Sequence, residues 1–279
     1  WVRVTALGSY REVGRAMHLV TTNESKVLVD CGAKPTSNRN EVQPFFAAPE
    51  MLPLDNIDAV VITHAHVDHI GMLPVLFRFG YKGPVYCTQP TRDLMTLLQM
   101  DYIKVAQAEG NEAPYSKSDI QECIKHVVDV NWGEKTDIAP DIKMTMENAG
   151  HILGSSSVYM QIGEGRDEHK LLFSGDIKYE KSWLFDAATV RFNKVDTLVI
   201  ESTYGGPQSI QPTRHQATQD LQDLIIDTLS RKGKIFCPVF AVGRSQEVMM
   251  AIDELFKSGK VSPVTVWLDG MISEATAIH

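Results

Sequence analysis

The chain has 279 residues, 43% of them hydrophobic and 22% charged, which is the make-up of a globular protein with room for one large α/β domain or for one domain and part of a second. A formal charge of −8 argues against a general phosphate-gripping surface, although a basic channel can exist inside an acidic protein and metal ions would neutralise part of the negative count. No apolar run is long enough to span a bilayer, Trp1-Val2-Arg3-Val4 has no signal-peptide layout, and Cys31, Cys87, Cys123 and Cys237 are scattered without a Cys-x-x-Cys pair, so a cytoplasmic protein with reduced thiols is expected rather than a membrane, exported or disulfide-built one.

Val2–Leu7, Ala16–Thr21 and Lys26–Asp30 read as three short strands joined by turns, an antiparallel meander of the kind that opens a layered sandwich. His18 falls inside a strand pattern and is expected to be packed or on the surface. Asp30 follows the third strand, where a carboxylate can cap the turn. Asp58–Ile62 is an apolar, β-branched run expected to be a buried strand, and His64, His66, Asp68 and His69 follow it within six residues. An extended segment points alternate side chains to one side, so His64 and His66 can share one divalent ion. The turn displaces Asp68 and His69 toward a second ion, at the ~3.5–4 Å separation of two-metal hydrolytic sites.

This His-x-His-x-Asp-His signature resembles that of the metallo-β-lactamase superfamily, whose members are mostly hydrolases with a zinc or related dinuclear centre. The resemblance implies that Asp30 stands behind the metal-binding loop and orients it. Downstream, residues 68–79 are expected to form one helix closed by Gly80, and Pro84–Cys87 a strand. Thr91 is expected to cap a helix to about Ala108, and Ser118 with Gln121 to form a capping box in a helix over 116–126. Lys143–Glu147 is strand-like and delivers Asn148-Ala149-Gly150-His151; Ser157–Ile162 and Lys170–Phe173 are strands, the second delivering Ser174-Gly175-Asp176. In this order His151 and Asp176 match the superfamily's third and fourth metal motifs. The implied set is His64, His66 and His151 on the first ion, Asp68 and His69 on the second, and Asp176 bridging.

Asp196–Ile200 is a further strand ending in Glu201-Ser202-Thr203-Tyr204-Gly205, which resembles motif A of the β-CASP nucleases. In that branch the Glu carries protons together with a later histidine, and locally it can equally be a turn carboxylate bonded to Ser202 or Thr203. Thr213–Arg231 and Gly243–Phe256 read as helices, and Lys234–Val239 and Val264–Leu268 as strands, an alternation that signals a parallel α/β layer. Pro238–Glu247 looks like a characteristic β-CASP segment, in which Gly243 and the free amides after it could hold a phosphate with help from Arg244. The branch's later histidine motifs have no counterpart, since neither His215 nor His279 has the right context. The expected architecture is therefore a four-layer αββα metallo-β-lactamase sandwich over 1–205, followed by an incomplete α/β β-CASP domain over 206–279.

The nearest resemblance is to archaeal ribonucleases related to the cleavage and polyadenylation specificity factor, in which RNA-binding KH domains precede a start of this kind. It implies hydrolysis of RNA phosphodiesters, with Asp68 and Glu201 closest to the chemistry and a water or hydroxide bridging two ions as nucleophile. The implied substrate is single-stranded RNA, and the implied assembly is a homodimer formed through parts not in this chain. Zinc suits an imidazole-rich site, while manganese or iron would accept the same donors. A small-molecule hydrolase of the same superfamily, a non-catalytic scaffold subunit and a DNA-directed member of the same branch are the competing expectations.

Overall fold

The computed structural model describes residues 1–35 and 41–279. Its first sheet holds six strands in the order β1 (Arg3–Gly8), β2 (Met17–Thr21), β3 (Lys26–Val29), β4 (Ala59–Val61), β5 (Val85–Cys87) and β6 (Val127–Asp129). The opening meander is antiparallel, and from β3 onward the pairing is parallel. Parallel neighbours need crossovers. Those after β4 and β5 are helical: α1 (Val67–Ile70) and α2 (Leu73–Arg78), then α3 (Gln89–Ala108) and α4 (Lys117–Lys125).

The second sheet has the order β11 (Thr197–Val199), β10 (His169–Phe173), β9 (Ser156–Ile162), β8 (Ile142–Asn148) and β7 (Lys135–Ala139), antiparallel except for the β10–β11 pair. Alternation along the strands explains how the sheets stack. Val20, Val27, Val29, Ala59 and Val61 point from the first sheet into one buried cluster with Met144, Met146, Val158, Met160 and Phe173 from the second. Leu19, Leu28, Val60 and Ile62 point the other way, into a cluster with helix residues such as Leu73, Leu94 and Ile120. The result is a sheet-on-sheet sandwich with helices on the outer face of the first sheet.

Local signals differ from the sequence reading in instructive ways. The single helix expected over 68–79 is two, because Pro74 falls in the first turn of α2, where a missing N–H does no harm. Thr88, not Thr91, caps α3, with Pro90 just inside. Ser116 and Asp119 form the capping box of α4 in place of Ser118 and Gln121. Strands β6 and β7 lie in a stretch with no strand pattern; β6 is only three residues long and mostly exposed, and β7 buries only Ile138.

Helices α5 (Arg214–Ser230), α6 (Arg244–Lys257) and α7 (Ile272–Ile278) follow. The strands expected at 234–239 and 264–268 are not formed: neither segment joins a ladder, and Phe236 and Trp267 are 90% and 88% exposed. An apolar β-branched pattern makes a strand only when a neighbour supplies the hydrogen bonds, and no described residue pairs with these segments. All four cysteines are free, three of them buried. Among the described residues no helix is long and apolar enough to cross a membrane.

Candidate metal centre

Asp30 and each candidate donor follow the end of a strand. Asp30 follows β3, residues 64–69 follow β4, His151 follows β8 and Asp176 follows β10. Backbone bonds draw these loops together: Asp30 N–H donates to the Val61 carbonyl (2.9 Å), Ser156 N–H to the Thr63 carbonyl (2.8 Å) and Cys31 N–H to the His69 carbonyl (2.8 Å). Gly32 is required by contact, since a Cβ there would lie 1.6 Å from the Asp68 carbonyl oxygen. Gly175 is required twice, by a φ of +55° and by the Thr63 side chain 2.9 Å from where its Cβ would sit.

All six predicted donors converge. His64, His66, His151 and Asp176 place one ligand atom each within 4.8 Å of one another, and His64, Asp68 and His69 form a second, overlapping group. Asp176 lies between them, with Oδ2 3.7 Å from His64 Nε2 and 3.5 Å from His151 Nε2, and Oδ1 3.4 Å from His69 Nε2. Most of these spacings exceed a good hydrogen bond yet suit donors converging on a common ion.

One observation tests whether a cation fits. His64 Nε2 is fully buried and has no hydrogen-bond partner, a costly arrangement for a polar atom unless something else uses its lone pair. The charge states agree. Burial, then the neighbouring histidines, holds His64 well below the usual imidazole range. Burial likewise lowers His66, and it brings His151 to about 4 with smaller contributions from His66 and Arg244. These three rings are neutral near pH 7 and offer lone pairs. Burial opposes ionisation of Asp176, but His69 and the other histidines outweigh it and hold its pKa near 2. For His69 burial is overcome by Asp30 and Asp176, which push it well above the usual range; the ring takes a proton where a divalent ion would otherwise sit. The donor set fits a divalent cation.

Behind the donors lies a network that includes a residue the sequence reading missed. Asp30 adopts a left-handed backbone (φ 62°), uncommon for a residue with a side chain. Its Oδ1 accepts from the Thr63 amide (2.8 Å), and its Oδ2 from both the Thr63 hydroxyl (2.9 Å) and His69 Nδ1 (2.8 Å). With the Thr63 proton committed to Asp30, the hydroxyl oxygen can only accept from His64 Nδ1, 3.1 Å away. Proton accounting therefore assigns the hydrogen to Nδ1 in both rings and leaves both Nε2 atoms facing the centre. The available signal was a single polar residue closing an apolar strand.

Glu201 lines the same cavity as Asp68, His69 and Asp176. Its oxygens accept from the amides of Ile177 (3.0 Å) and Thr203 (3.2 Å), and its own amide donates to Ser174 Oγ (3.0 Å). It ties the loop carrying Asp176 to the end of β11. His18 is packed, its ring tilted against Phe173 at 5.3 Å and its pKa lowered to about 4 by burial.

Arg244 is 58% exposed and shares Glu247 with Arg214 (2.8 Å to Oε2) and Lys178 (3.7 Å to Oε1), lying 3.6 Å from Oε2 itself. Two of the amides around it are engaged: Gly243 N–H donates to Gln246 Oε1 (2.7 Å) and Ser245 N–H to the Phe240 carbonyl (3.3 Å).

Comparison with known proteins agrees with this architecture. A model of the beta-lactamase superfamily domain matches residues 25–231. The chain is 51% identical over 279 residues to transcription termination factor FttA of Methanosarcina mazei. It is 49% identical over 280 residues to the FttA of Methanothermobacter thermautotrophicus and 49% over 285 residues to that of Thermococcus kodakarensis. Each match covers 100% of this chain but only 43–44% of the relative, so the chain spans less than half the length of these curated relatives. A crystal structure of a protein of unknown function from Enterococcus faecalis V583 shares the fold at a TM-score of 0.58 and 14% identity, covering 95% of this chain and 64% of that one. With two stacked sheets, donors gathered at the strand ends and a family match across most of its length, the chain belongs to the beta-lactamase superfamily, in its metal-binding form.

Proposed function

We propose that this chain carries the metal centre of a ribonuclease that hydrolyses phosphodiester bonds of single-stranded RNA, in 3′-end processing or decay. The observation that supports it most is the convergence of six donors into two overlapping groups that share His64 and flank Asp176. In this reading His64, His66 and His151 would hold one ion and Asp68 and His69 a second, with Asp176 placed within reach of both sets of donors. Zinc is favoured by the number of imidazoles. Two such ions supply Lewis acidity, lowering the pKa of water and offsetting charge on a phosphoryl group.

The chain's own residues do the rest. Asp30 and Thr63 keep the Nε2 lone pairs of His64 and His69 turned inward. Glu201 keeps unused lone pairs on both oxygens and can hold a proton beside the reacting group. Arg244, one of three cations around Glu247, holds a phosphate of the strand through its side chain. The resemblance to the β-CASP branch lies in the Glu201–Gly205 and Pro238–Glu247 segments, and in this reading residues 206–279 belong to its β-CASP domain. The relatives are named transcription termination factors, and an RNA-directed activity is what connects that name to a site of this kind.

The test is cleavage of end-labelled single-stranded RNA by the zinc-loaded protein, with and without chelator. Chelator-sensitive cuts leaving 5′-phosphates are expected. Hydrolysis of thioesters or lactones with RNA left intact would replace this reading by the small-molecule one.

A further inference from the structure

The connection between β1 and β2 is built far more elaborately than a hairpin needs. Ser9, Arg11 and Arg15 take φ values of 70°, 65° and 47°, and Gly14 takes 109°. Left-handed backbone is costly for residues with a Cβ, so the surroundings must hold it. Glu12 binds both Arg15 and Lys34, the latter at 2.8 Å. Ala16 N–H donates to the Asp68 carbonyl at 2.8 Å, fastening the loop to the donor segment. The Tyr10 hydroxyl lies 3.2 Å from His18 Nδ1, and the two rings meet edge to face at 5.4 Å.

What this braced loop presents is chemically specific. It lines a cavity of about 440 Å³ whose other wall includes Asp68, His69, Asp176 and Glu201. Tyr10 is 47% exposed, an aromatic face fixed in direction by His18. Arg11 is exposed; unlike Arg15 and Lys34, it makes no hydrogen bond or ion pair with any described residue. A held aromatic beside an unneutralised guanidinium offers one surface for a base and one fork for a phosphate.

We propose that Tyr10 and Arg11 form a nucleotide subsite on the rim of the metal centre, with an unpaired base stacked on Tyr10 and the adjoining phosphate held by Arg11. The subsite rests on the ribonuclease reading and adds to it a reason for single-strandedness, since a base in a duplex has no free face to stack.

The experiment is fluorescence anisotropy of a labelled oligouridylate, with phosphorothioate linkages to suppress cleavage, titrated with the zinc-loaded protein across a series of salt concentrations. Arg11→Gln is expected to weaken binding and to reduce the slope of log K against log salt by about 0.7, one phosphate contact on a single strand. Tyr10→Leu is expected to lose about 5- to 150-fold in affinity with the slope unchanged, the range for removing one stacked base. Tyr10→Phe keeps the ring and loses the bond to His18, and is expected to stay near wild type. An unchanged slope in Arg11→Gln, or equal losses in Tyr10→Phe and Tyr10→Leu, overturns the subsite while leaving the ribonuclease reading intact. Failure of the wild-type protein to bind any strand overturns both.

Discussion

Thr63 has one hydroxyl proton, and where that proton goes decides how His64 faces the metal centre. Asp30 takes it, so His64 must donate from Nδ1 and keep Nε2 open. Thr63→Val removes the hydroxyl at nearly constant volume and is expected to weaken metal binding by about 10- to 100-fold, as loss of an outer partner does. Thr63→Ser should bind as wild type does. Titration with Co²⁺, followed by its visible absorption, measures both; equal affinity in wild type and Thr63→Val would remove Thr63 from the account. At Glu201 two roles need separating. Glu201→Gln keeps an oxygen for one of the two amides and leaves the donors alone, so metal content should hold. Stability should fall by about 1 kcal/mol for the lost hydrogen bond, read by chemical denaturation, and RNA cleavage should fall much further. Full activity would reduce Glu201 to the brace that its bonds to Ile177 and Thr203 describe.

At the scale of elements, the donor loops depend on tight backbone contact. The clearest case is Gly32 in the loop after β3, whose Cβ would collide with the Asp68 carbonyl rather than with a movable side chain. Gly32→Ala is expected to cost about 1–3 kcal/mol, the range for overpacking, and to weaken metal binding because Asp68 must shift. Denaturant melts with chelator and metal titrations without it measure the two effects; wild-type values in both would show that the loop yields freely. Elements also show where pattern reading falls short. Caps and helix breaks turned on Pro74 and Pro90, whose positions within a turn matter more than their presence. The segments at 234–239 and 264–268 have strand composition and no ladder, because pairing is a property of two segments.

At the scale of the whole molecule, the centre joins residues from both sheets: His64, His66, Asp68 and His69 follow a strand of the first, and His151 and Asp176 follow strands of the second. A cation bound there clamps the sandwich, so chelation is expected to lower the melting temperature. The loss corresponds to about 2.7 kcal/mol per site where free metal stands at a hundred times Kd, and Asp176→Ala should abolish most of it; a melting temperature insensitive to chelator would count against a structural cation. His64, His66, Asp68 and His69 could be named as candidates from the chain alone because their chemistry is local, imidazoles and a carboxylate at short spacing after an apolar strand, whereas His151 and Asp176 were implied only by the order of the superfamily's motifs. The opening meander was readable through alternation and turn residues, and the layering through the resemblance. The tautomers of His64 and His69, the brace at Glu201, the engaged amides of Gly243 and Ser245 and the braced rim at Tyr10 and Arg11 were not. Each depends on which groups meet across the fold, as when Asp30 reaches Thr63 and His69 from 33 and 39 residues away, and no pattern along one segment carries that distance.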